Sequence, residues 1–141
     1  MQLAVGAVAE KVRVGAVARP LAREVQSGLL PVAPPDFPGY DIAAVARPTW
    51  AIGGDYYDYV PLREGRLGLV IADVSGKGIP AALIMATFRA ALRTEMRRHA
   101  DLRAVADQLN GAVLESGDTS RFVTAVCGVL DSWSGRLTYV N

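Results

Sequence analysis

The stretch IADVSGKGIPAAL, residues 71–83, sets the strongest constraint on this chain: an apolar run must end at a carboxylate, turn through two glycines and enter a helix within a few residues. The run RLGLVIADV that leads into it has an unbroken apolar centre, which predicts a strand buried on both faces. Pro80 suits the first turn of the helix that follows, because its missing N–H would have no partner there. That helix is expected to run to about residue 98, with Leu83, Ala86, Thr87, Ala90 and Ala91 as a small-residue face able to lie close to a sheet. Arg89, Arg93 and Arg97 recur every four residues on another side and read as a solvated face, with partner binding as the alternative.

The flanking segments complete the pattern. Residues 17–30 have helical spacing, with Leu21, Val25 and Leu29 on one stripe. PVAPPDFPGY contains four prolines, which excludes a regular element and suggests a linker or a wrapping arm. YDIAAVARP and TWAIGGDYYDYVPL read as two strands, the second broken at Gly53 and Gly54, with EGR as the next turn. A second helix over 102–114 aligns Leu102, Val105, Ala106, Leu109 and Val113, and ESGDTS ends it. RFVTAVCGVLD, the turn SWSG and RLTYVN then form a hairpin. Strands in pairs, two consecutive helices and strands again imply an antiparallel sheet with helices packed on it, the α+β class.

Composition narrows the function. With 51% hydrophobic residues in 141, the chain can build one core, and 15 basic against 14 acidic residues leave a net charge of +1 with no footprint for nucleic acid. Glu10, Lys11 and Arg13 interrupt the mildly apolar start before a signal-peptide core forms, and no run spans a membrane, so a cytoplasmic protein is expected. Cys127 is the only cysteine and reads as a buried, inert thiol; His99 is the only histidine and reads as a solvent-facing residue near a helix end. Neither a zinc cluster nor a Cys-His or Ser-His-Asp triad can be assembled from them.

The glycine turn invites a phosphate-loop reading, which fails. A P-loop needs glycine where Ile71 stands and Ser or Thr where Gly78 stands. A metal reading fits better. Asp73 ends one apolar run and Asp55 ends another, WAIGGD; two strands delivering carboxylates to one place would suit Mg²⁺ or Mn²⁺. Glycines beside each aspartate would let backbone and water come close. From spacing alone an alternative stands beside it, in which Asp73 caps the following turn and helix and Asp55 or Asp58 sits in a loop with ordinary hydrogen bonds.

EVQSGLLPVAPPDFPGYDIAAVARPTWAIGGDYYDYVPL followed by GRLGLVIADVSGKGIPAALIMATFRAALRTE closely resembles the opening half of the SpoIIE/RsbU-type phosphatase domain, of the metal-dependent PPM class and similar to protein phosphatase 2C. The resemblance covers about residues 20–141, leaving 1–19 as an N-terminal extension. It implies a sandwich of antiparallel sheets flanked by helices. It also implies metal ligation by Asp55, by Asp73 bridging two Mn²⁺ or Mg²⁺ ions, and by the main-chain carbonyl of Val74, with Asp58 in support behind them. A water activated by the ions would attack phosphorus, so Asp55 and Asp73 are the expected catalytic residues and no covalent nucleophile is needed. The implied substrate is a phosphoserine or phosphothreonine protein, an anti-sigma-factor antagonist in partner-switching signalling.

In that family further metal-binding aspartates follow beyond the point matching Asn141, so the domain is expected to be incomplete at its C-terminus, with a sheet edge exposed at RLTYVN. A phosphatase-like fragment that binds a partner without turnover is therefore the alternative. Regulation is expected through another protein, through sequence outside this chain or through the N-terminal helix, which could also pair with a second copy in a homodimer.

Overall fold

The structure, a computed structural model, describes residues 28–46, 54–117 and 120–141. Among these residues four strands, β1 (Tyr56–Pro61), β2 (Arg66–Val74), β3 (Val123–Asp131) and β4 (Leu137–Val140), form one antiparallel sheet in the order β1-β2-β3-β4. Helices α1 (Ile79–Arg98) and α2 (Leu102–Glu115) follow β2 in succession and lie against one face before the chain returns as β3. The α+β expectation is met. The predicted helix over 17–30 lies outside the described residues except for 28–30, where Leu29 and Leu30 pack against the core.

Local chemistry explains the connections. Glu64 and Gly65 both take positive φ, 60° and 65°, the left-handed geometry that suits the twist of a tight hairpin. Asp131 closes the second hairpin: its Oδ1 accepts the backbone N–H of Trp133 at 3.0 Å and of Ser134 at 2.9 Å. Those bonds, the Ser134 amide foremost, hold its carboxyl below the usual range. Asp101 caps α2 by accepting the Arg103 N–H at 2.9 Å.

The two sheet faces have different fates. Tyr56, Asp58 and Val60 on β1, Val70, Ala72 and Val74 on β2, and Cys127 on β3 point toward the helices and are buried. The other face is covered at one end by the proline-rich segment. Phe37, Tyr40 and Ile42 pack there on Tyr59, Leu67 and Leu130, so the segment is a wrapping arm. Toward the far end of β2 the cover stops, and Ile71 is 71% exposed. The predicted burial of β2 on both faces is thus corrected: an apolar run shows that a strand can be buried, not what covers each side.

Three further expectations change. No strand forms over 41–46, and the rest of that predicted strand lies outside the described residues, as does the start of the next one before Gly54. The small-residue face of α1 is not the sheet-facing one; Leu83 is 64% exposed, while Ala81, Ile84, Met85, Phe88, Leu92 and Met96 are buried. Bulky side chains removed more apolar area from water than alanines could, so the helix turned them inward. Finally, the arginine row is not uniformly solvated, because Arg93 reaches back to a buried carboxylate described below.

Cys127 behaves as read from the sequence. It is buried, and desolvation pushes its thiol from 9.0 up to about 11. Because the folded value is the higher one, this stabilising contribution is complete below the unfolded value and is lost as pH rises toward the folded one. A thiol reagent such as dithionitrobenzoate at about pH 8 is expected to leave the folded chain unmodified and to label it at once in denaturant; rapid labelling without denaturant would contradict the burial.

Candidate functional site

Backbone contacts at the exit of β2 build the site. The Val74 N–H donates to the Gly54 carbonyl at 3.2 Å, and the Ser75 N–H donates to the Phe122 carbonyl at 2.9 Å. The Phe122 N–H answers by donating to Ser75 Oγ at 2.9 Å. Both sides of the strand end are clamped. Gly54 is required for this: a Cβ there would sit 2.3 Å from the Val74 carbonyl oxygen and 2.8 Å from its nitrogen. The close approach that this glycine permits is between two backbones.

The consequence is that Asp55, one residue after Gly54, and Asp73, one residue before Val74, share a groove. It measures about 540 Å³, lies on the sheet face away from the helices, and is also lined by Tyr57, Ile71, Thr124 and Val126 and, from the end of the arm, by residues 43–46. Both aspartates are exposed, and among the described residues neither carboxylate has a hydrogen-bond or ion-pair partner. The capping alternative for Asp73 does not hold. The N-cap of α1 is Gly78, with no side-chain cap, and Gly76 and Gly78 take φ of 95° and 83° to make the turn.

Asp58 is elsewhere. Alternation along β1 turns it to the helix side, away from Asp55, which corrects the expectation that it supports the metal ligands. Its side chain is only 1% exposed, and Arg93 Nη1 donates to both of its oxygens at 2.8 and 2.7 Å. The Tyr56 hydroxyl donates at 2.5 Å and the Tyr59 N–H at 2.8 Å. Burial first, and then the bond to Asp58, raise the Tyr56 phenol above its ordinary range. The period-two alternation of the strand is the signal that could have placed Asp58 on the inner face; its partner Arg93, 35 residues later, had no local signal.

As a donor set, two carboxylates on an open face suit a hard divalent cation that keeps several waters. Among the described residues no group of three or more His, Cys, Asp or Glu side chains comes together. No helix there is long and apolar enough to cross a membrane.

Comparison with known proteins places the fold. The sequence model of the family Stage II sporulation protein E (SpoIIE) matches residues 63–141, more than half of the chain. The chain is 36% identical over 121 residues to phosphoserine phosphatase RsbU of Bacillus subtilis, covering 86% of this chain and 36% of that protein. It is 31% identical over 146 residues to protein IcfG of Synechocystis, covering 84% and 23%. The chain therefore spans only about a quarter to a third of the length of these curated relatives. Among solved structures, the RsbU and RsbW domains of Rv1364c from Mycobacterium tuberculosis superpose with a TM-score of 0.56 at 33% identity, over 67% of this chain and 26% of that one. The SiaA-PP2C domain of Pseudomonas aeruginosa superposes at 0.67 over 93% and 54%; at 19% identity it speaks for the fold alone. With the antiparallel sheet, its two helices and the family match in agreement, the chain belongs to the SpoIIE/RsbU-type family of PPM phosphatase domains.

Proposed function

We propose that this chain supplies the paired-aspartate portion of a metal-dependent protein phosphatase that hydrolyses phosphoserine or phosphothreonine. One observation carries the reading: the Gly54–Val74 backbone contact brings Asp55 and Asp73, whose carboxylates have no partner among the described residues, to a single open groove in a chain of phosphatase family. Asp55 and Asp73, with the main-chain carbonyl of Val74, would hold Mn²⁺ or Mg²⁺. Such an ion supplies Lewis-acid activation of water and neutralises charge on the phosphoryl group.

The chain's own residues do the rest by position. Ser75 ties the β2 exit to Phe122, Gly76 and Gly78 turn the backbone away into α1, and the groove stays accessible from solvent. No nucleophilic side chain is needed, which suits a chain whose one cysteine is buried and protonated. The similarity to RsbU, named a phosphoserine phosphatase, supports a phosphoprotein substrate, and an anti-sigma-factor antagonist in partner switching is the substrate class we infer.

A second reading, a partner-binding module without turnover, is favoured by the donor count: two carboxylates among the described residues are few for two ions. Calorimetric titration with Mn²⁺, on the chain and on Asp73→Asn, with phosphoserine-peptide hydrolysis followed in the same samples, separates the two. Binding and turnover lost together in the variant are the expected result. Metal binding without turnover would mean that the chain holds half of a site, and identical titrations of chain and variant would remove the metal assignment and favour the second reading.

A further inference from the structure

The pole of the sheet opposite the aspartates carries the opposite charge. Two adjoining grooves, of about 570 and 410 Å³, share Arg66, Ala100 and Val129. Arg103 and Arg136 line the first and Arg63, Arg97 and Arg98 the second. Arg66 and Asp73 are seven residue steps apart along β2, roughly 23 Å at strand rise. With a net charge of only +1 overall, this concentration is a matter of placement and not of composition.

Internal pairing leaves most of these charges available. Arg66 meets Glu64 at 3.2 Å and Arg98 meets Glu95 at 3.7 Å. Among the described residues the guanidinium groups of Arg63, Arg97, Arg103 and Arg136 have no ion-pair or hydrogen-bond partner. Helix electrostatics accounts for Arg97 and Arg98, which lie in the last turn of α1. It does not account for Arg103, a cation in the first turn of α2 where the dipole opposes it.

We propose that this double groove docks an acidic segment of a protein partner, its Asp or Glu carboxylates received by the forked guanidinium groups of Arg63, Arg97, Arg103 and Arg136. Guanidinium matches carboxylate in a planar, two-point geometry. A nucleic-acid backbone fits less well, because Asp101 and Asp131 interrupt the cations of the same wall: a continuous row of phosphates must pass them, whereas a peptide can place its carboxylates at the arginines and neutral side chains beside the aspartates.

Fluorescence anisotropy of a fluorescein-labelled octapeptide of alternating Glu and Ser, titrated with the full chain, tests this. The Arg103→Gln/Arg136→Gln variant is expected to bind roughly tenfold more weakly. Raising salt from about 20 to about 200 mM is expected to weaken the unaltered chain by a similar factor. Asp73→Asn is expected to bind the peptide unchanged, which separates this groove from the proposed metal site. The pair Arg63→Gln/Arg97→Gln on the adjoining wall gives an independent reading if circular dichroism shows the first variant misfolded. Equal affinity of chain and both variants overturns the proposal. So does equal binding of the Gln-for-Glu peptide, or tighter capture of a single-stranded DNA octamer by the same arginines.

Discussion

Replacing Arg93 by methionine is expected to destabilise the fold by about 3 kcal/mol, because it strands the Asp58 carboxylate without its cation. Asp58 is 1% exposed and Arg93 29%, so the two partners are not equivalent. Asp58→Asn keeps a side chain that the Tyr56 hydroxyl and the Tyr59 N–H can still reach, and it lets Arg93 turn toward solvent. A smaller loss of about 1–2 kcal/mol is expected there. Combining Asp58→Asn with Arg93→Met should cost less than the two singles added, since both remove one interaction. Urea unfolding followed by circular dichroism measures all three. A change below about 1 kcal/mol for Arg93→Met would mean that the pair behaves as a surface bridge and does not pin α1 to β1. Alkali acts on the same network with a determined sign: the raised Tyr56 phenol stabilises below its unfolded value near 10.0 and ceases to as pH climbs above it.

Gly54→Ala is expected to have the second largest effect and to strike stability and the groove together. Its Cβ would meet the Val74 carbonyl oxygen at 2.3 Å and the Val74 Cβ at 2.9 Å, and backbone cannot swing aside as a long side chain can. Overpacking of this kind costs about 1–3 kcal/mol. Relief requires the Gly54–Val74 hydrogen bond to open, which carries Asp55 away from Asp73. Mn²⁺ titration of Gly54→Ala beside Gly28→Ala makes the comparison, since a Cβ at Gly28 meets nothing within 4 Å. Lost metal binding with an intact unfolding midpoint would locate the effect in the groove. Unchanged binding and stability would show that the strand ends are not held as close as described.

The spacing of apolar residues sufficed for the two helices, the strand into Asp73 and the final hairpin, because each is specified by near neighbours. Pro80 at a helix start, Asp101 at a cap and SWSG at a turn act within four or five residues of themselves. The pair Asp55 and Asp73 was legible for a similar reason: each closes an apolar run at a glycine. What the aspartates face was not legible. Burial of β2 on both sides was inferred from its apolar centre, yet Ile71 and Asp73 stand on an open face while the arm covers Leu67 and Leu69.

Taken alone, then, the sequence determined the α+β order of elements, the strand-to-helix turn through Gly76 and Gly78, and the candidate carboxylates. Tertiary structure decided which face each side chain joined. It turned the bulky stripe of α1 inward instead of the small one, paired Arg93 with Asp58 across 35 positions, and left six arginines gathered at one pole. The physical reason is range: backbone geometry and caps are set by residues a turn apart, whereas burial and charge pairing depend on surfaces that meet only after the chain has closed on itself.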